Sequence, residues 1–220
     1  RWTRQSMTEI IHQRIAELLC SKICHDLISP VGAINNGMEL LTDASSGMQD
    51  DAMSLIGASS RQAAQRLEYF RLAFGGWGGG DEATTEFGLL RQMIASHAMD
   101  NKMELTWHQK PEDGERLIKT AGKMVLGLVL IAAECARRTA ELEIDLGAST
   151  NRLHIYVKVS GDRCALHPET RNGFDQHLRI DDISIRNVVA YNCLQISLAN
   201  QMALHFSDKS PDTVEFNVTD

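Results

Sequence analysis

Leu19, Ile23, Leu27, Val31, Ile34, Met38 and Leu41 recur at three- and four-residue steps, the spacing of a helix with one buried face. No other stretch constrains the fold as strongly, because a helix of this length must find a partner for its apolar side. At about 100° per residue, His25 lies roughly 200° from both Ile23 and Leu27. Its imidazole is therefore expected in solvent, with Ser21, Ile28, Ser29, Gly32, Asn36 and Glu39 spread around it. Pro30 falls inside the run, where it removes a backbone donor and crowds the carbonyl of Asp26, so a bend is expected one turn after His25.

The first helix is predicted from Thr8, as N-cap, to about residue 41 or 44. A turn follows over residues 42–47, and a second helix begins near Met48. Its stripe of Met53, Ile56, Ala63, Leu67, Phe70 and Phe74 has helical spacing, with Asp50, Asp51, Arg61, Arg66 and Arg71 on the wet side. Two antiparallel helices have little else to bury these stripes against. A second copy of the hairpin completes a four-helix bundle, so a homodimer is expected.

Five glycines in the six residues 75–80 read as a hinge. Beyond it, Phe87, Leu90, Ile94 and Ala98 predict a helix, residues 104–108 a short strand and residues 117–139 a stretch containing a long apolar helix. Strands are predicted over 141–146 and 153–159, separated by a turn at Ser149, Thr150 and Asn151. A last helix is expected over 188–204 and an edge strand over 213–218. The fold class is therefore α+β: a helical hairpin over residues 1–77, dimerising as a four-helix bundle, then an α/β sandwich with an antiparallel sheet over residues 78–220.

The segment His25-Asp26-Leu27-Ile28-Ser29-Pro30 matches every defined position of the H-box of two-component histidine kinases, H-[E/D]-L-x-[T/S]-P. Extended from Cys24 to Gly37, it resembles the ChpT family of alphaproteobacterial histidine phosphotransferases. The resemblance implies a dimerisation and histidine phosphotransfer hairpin, then a degenerate ATPase-like (Bergerat) domain. It covers the chain in architecture and the first helix in specific motifs. An active ATPase domain of that kind needs an N-box asparagine for magnesium, an aspartate in D-x-G-x-G for adenine and a glycine loop over the phosphates. Here Leu130 and Glu134 fall where the N-box asparagines belong, residues 157–163 lack D-x-G-x-G, and Asn192 and Gln195 stand in place of loop glycines. Loss of ATP binding is the expectation.

His25 must then take its phosphoryl group from elsewhere. The resemblance implies a receiver aspartate of a CckA-like hybrid histidine kinase as donor and CtrA-like and CpdR-like response regulators as acceptors, in cell-cycle regulation. Neutral imidazole is a competent nucleophile near neutral pH, and phosphoryl transfer depends chiefly on alignment and charge neutralisation. Magnesium is expected on the receiver and no cofactor on this chain. Asp26 is read as orienting the imidazole, with a solvated surface acid as the alternative. Ser29 either contacts the phosphoryl group or bonds back to a helix carbonyl. Ser21, Lys22, Ile28, Gly32, Asn36, Glu39 and Arg61 are expected to dock the receiver. Three rivals stay open: a divergent ATP-dependent kinase, a receiver-binding module without chemistry, and a phosphatase with Ser29 placing water.

Composition narrows the partners. A net charge of −7, with no Lys/Arg cluster, argues against nucleic acid and anionic membrane. Five cysteines without C-x-x-C pairs point away from a disulfide framework and toward a cytoplasmic setting. Cys20 and Cys24, four apart beside His25, are read as small buried residues rather than metal ligands. The longest apolar run, residues 124–133, is too short to cross a bilayer.

Overall fold

The structure, a computed structural model, describes residues 4–42, 47–76, 84–112, 115–149 and 152–220. It begins with two antiparallel helices, α1 (Arg4–Thr42) and α2 (Gln49–Phe74). Thr8 lies within α1 rather than capping it, since the helix extends back to Arg4. Pro30 sits inside the helix. At Gly37 the helices approach so closely that an added Cβ would meet Ile56 Cγ1 at 2.6 Å and the carbonyl oxygen of Ala52 at 3.2 Å. A glycine is needed there for steric reasons alone. The turn at 43–46 and the hinge glycines from 78 onward, with the domain boundary at 77/78, lie outside the described residues.

The second half comprises β1 (Thr84–Glu86), α3 (Phe87–Asp100), β2 (Met103–Trp107), β3 (Arg116–Ile118), α4 (Lys119–Cys135), β4 (Ala140–Ser149), β5 (Arg152–Ser160), α5 (Pro168–Asn172), α6 (Val188–Ala199), β6 (Ala203–Ser207) and β7 (Thr213–Thr219). Five strands form one sheet in the order β2-β4-β5-β7-β6, and β1 pairs with β3 separately. The sheet is mixed, correcting the antiparallel expectation, because β2 runs parallel to β4 with Met103 opposite Ala140. The last helix stops at Ala199, and Leu204 belongs to β6. Asn200 Nδ2 donates to the Ile196 carbonyl, and Gln201 takes a φ of 55°, which ends the helical path. The strand over 213–219 is internal, because β6 takes the edge.

Alternation dictates which face of the sheet is buried. Leu142, Ile144 and Leu146 on β4, Ile155, Val157 and Val159 on β5, and Val214, Phe216 and Val218 on β7 are all buried, one residue in two as a half-covered sheet requires. α4, apolar nearly all round, packs between this face and the hairpin. The same hydrophobic core takes in Ile15, Leu18 and Leu19 from α1 and Tyr69, Phe70, Leu72 and Ala73 from α2. Buried Tyr69 donates its hydroxyl to the Leu126 carbonyl of α4 at 2.8 Å. The burial that seats it also pushes its phenol well above the usual range.

Candidate functional site

His25 stands on the outer side of α1 with a side chain 76% exposed. Ser21, Ser29, Asn36 and Glu39 are exposed beside it, and Ile28 is 69% exposed, unusual for so apolar a side chain. Gly32 is half-buried, yet a Cβ there would meet nothing within 4 Å, so its smallness serves no contact inside the chain. Arg61 is exposed on α2. Of the residues expected on this face, Lys22 is the exception. It is buried, because it shares the inward side of α1 with Ile15, Leu18 and Leu19.

Behind His25 lies a polar joint between the hairpin and the α/β half. Asp26 Oδ1 is 3.0 Å from His25 Nδ1, and Asp26 Oδ2 is 3.3 Å from Lys22 Nζ. Lys22 Nζ also donates to Glu134 Oε1 on α4 at 2.8 Å. Burial alone would push the Lys22 ammonium down; Glu134 and then Asp26 outweigh it, and the net shift is upward. Arg66 Nη1 donates to the carbonyl oxygen of Asp26 at 2.7 Å. Arg66 is thus half-buried and bonded rather than solvated. Lys22, Asp26, Arg66 and Glu134, with Phe70, His97, Asn101, Leu130 and Ala133, line a cavity of about 190 Å³. His97 stacks on Tyr69 at 4.6 Å between ring centroids. Its pKa is lowered to about 4 by burial and then by the Arg66 charge, with Asp26 opposing.

The carboxylate of Asp26 only accepts hydrogen bonds, so its contact with Nδ1 is satisfied by an imidazole carrying its proton there. The Nε2 lone pair is then left for an electrophile. Asp26 is thus in contact with the ring rather than a free surface acid. Sequence reasoning missed Glu134 and Arg66 as parts of this arrangement. One signal was present: Lys22 falls in helical register with apolar residues, and a buried ammonium requires a carboxylate partner.

Cys20 and Cys24 are both exposed, correcting the buried reading, since each lies one residue past the inward Leu19 and Ile23. Among the described residues no group of three or more His, Cys, Asp or Glu side chains is placed to hold a metal ion, and no helix is long and apolar enough to cross a membrane.

The site is thus a helix-borne, exposed histidine on a hairpin packed against an α/β sandwich. The histidine phosphotransferase C-terminal domain model matches residues 87–211, and the chain belongs to the histidine phosphotransferase family. It is 36% identical over 157 residues to the protein phosphotransferase ChpT of Brucella abortus (strain 2308), covering 70% of this chain and 71% of that one. It also resembles a bacterial phosphotransferase solved at 1.7 Å, with a TM-score of 0.79 and 29% identity over 93% of this chain and 95% of that one.

Proposed function

We propose that the chain is a phosphohistidine carrier in a two-component phosphorelay. His25 Nε2 attacks the phosphorus of a receiver's aspartyl phosphate; the N–P bond forms as the acyl P–O bond breaks, and the receiver aspartate leaves as carboxylate. The reverse step on a second receiver passes the group on. During transfer the ring becomes cationic while keeping its Nδ1 proton, and Asp26 at 3.0 Å neutralises that charge. This placement of Asp26 beside an exposed ring is the observation that carries the reading. Magnesium is supplied by the receiver.

The phosphoryl source is another protein rather than ATP bound here, because the residues at the nucleotide position do not fit that ligand. Leu130 is a buried apolar side chain with no ligand atom to offer a metal, and the Glu134 carboxylate is engaged by Lys22. A homodimer is the expected working form. Val31 and Met38 on α1 and Met53 and Leu67 on α2 are exposed, and the stripe continues into a groove of about 720 Å³ lined by Leu19, Ile23, Leu67, Phe70 and Phe74 of the hairpin and Ile196 of α6. A second hairpin of the same sequence would bring a matching apolar stripe to this face.

The test follows labelled phosphate through ATP, a hybrid kinase with its receiver, this chain and a response regulator, with and without His25→Ala. Label should reach this chain only from the phosphorylated receiver, move on to the regulator, and vanish with His25→Ala. Labelling by ATP alone makes it a kinase. Loss of receiver phosphate without label on this chain makes it a phosphatase.

A further inference from the structure

We infer that Glu134 is a positioning residue for His25, acting through Lys22 and Asp26; the inference rests on the phosphotransfer reading above. Consecutive residues on a helix project about 100° apart and do not face each other. A direct contact between His25 and Asp26 therefore needs the Asp26 carboxylate to be turned and held. Its two oxygens are held separately, Oδ1 by His25 Nδ1 at 3.0 Å and Oδ2 by Lys22 Nζ at 3.3 Å.

Lys22 cannot fix that carboxylate alone, because its flexible stem leaves the ammonium free to turn. Glu134, on α4 and 112 residues away in sequence, holds the ammonium at 2.8 Å. The Lys22 side chain is only 11% exposed, so little water competes for its donors. The path from α4 to the reacting ring is thus Glu134, Lys22, Asp26, His25. Two further observations make it a fixed path. Arg66 anchors the Asp26 backbone from α2, and Tyr69 anchors α2 to α4. The four charges of Lys22, Arg66, Asp26 and Glu134 cancel, so the joint stores no net charge against which the carboxylate would swing.

The experiment reads the His25 tautomer by long-range 1H–15N correlation spectra of the full-length chain, alongside the rate of phosphoryl acceptance and receiver affinity. Wild type should hold the proton on Nδ1. Glu134→Gln should shift the ring toward the Nε2–H form and slow acceptance by roughly 10- to 100-fold, the size seen when an outer partner of a reacting ligand is lost, with receiver affinity unchanged. Asp26→Asn should do the same. Glu134→Gln added to Asp26→Asn should cause no further loss, since the two act on one path. Lys22→Met with Glu134→Leu replaces the ion pair by apolar chains of similar size and keeps the fold, so it supplies the same readout if Glu134→Gln unfolds. A wild-type tautomer in these folded variants, or rate losses that multiply in the double variant, overturns the inference. If wild type accepts no phosphoryl group at all, the phosphotransfer reading fails, while the tautomer spectra still decide whether Glu134 sets the ring.

Discussion

Arg66 donates to the one α1 carbonyl that Pro30 leaves without a helical partner: its Nη1 lies 2.7 Å from the oxygen of Asp26, four residues before the proline. The helix stays continuous beside His25, and a side chain from the neighbouring helix makes up the missing bond.

Removal of Arg66 should therefore cost more with Pro30 present than without it. Arg66→Met leaves the carbonyl short of a donor and should destabilise the chain by about 1–3 kcal/mol. In a Pro30→Ala background, where residue 30 regains its N–H, the same change should cost less than half as much. Urea unfolding of the four proteins measures this, and equal costs in both backgrounds would refute the compensation.

Gly32 separates docking from folding. An added side chain there meets no other part of the chain within 4 Å of its Cβ, and leaving glycine in a helix interior costs about 0.5–1 kcal/mol relative to alanine. Gly32→Ala should raise stability slightly, whereas Gly32→Trp should keep the fold and weaken receiver binding at least about tenfold, the scale of one blocked contact at an interface centre. Calorimetry with a receiver domain checks both. Normal binding by Gly32→Trp would remove this face from the docking surface.

The exposed hairpin stripe gives an oligomeric prediction. Met38→Glu or Leu67→Glu places a charge on the surface proposed to meet a second copy, and should convert the dimer to monomer in light scattering at micromolar concentration. Leu67 also lines the groove beside α6. Met99 on α3, 70% exposed, serves as control, and Met99→Glu should leave the dimer intact. A dimer that survives both hairpin changes places the interface elsewhere.

His97 makes stability depend on pH in a defined window. Its pKa falls from 6.5 to about 4 in the folded chain. Between those values the unfolded chain binds a proton that the native state refuses, so stability falls as pH drops from about 6.5 toward 4 and then levels off for this group. The loss at pH 4 is on the order of 3 kcal/mol. Urea midpoints at pH 7, 5.5 and 4.5 should decline less steeply for His97→Gln than for wild type. Parallel declines would show that His97 is not the titrating group.

What the sequence made legible follows from where the information is local. The helical period of α1, the outward angle of His25 and the strand segments at β4 and β5 are properties of neighbouring residues, and the structure reproduces them, whereas Val31 and Met38 of the α1 stripe are exposed in the single chain. The parallel pairing of β2 with β4, the edge position of β6 and the partner of Lys22 depend on residues tens to more than a hundred positions apart, for which period carries no signal. Val188 to Leu204 reads as one apolar stretch because α6 is buried nearly all round and β6 follows within four residues. Neither element keeps a clean periodicity at the junction. Cys20 and Cys24 were misplaced for a different reason: residue type favours burial, and position on the helix overrode it.

The core described above draws on α1 and α2 as well as on the sheet. Tyr69, Phe70 and Leu72 lose their solvent only while α4 stays in place, and α4 loses one wall without them. Whatever punctuation the glycine run supplies to the chain, the melting of the molecule should have none: a single cooperative transition, with no truncated half that persists alone. Heredity then acts on the helix that carries His25 and on the sandwich as one inseparable trait.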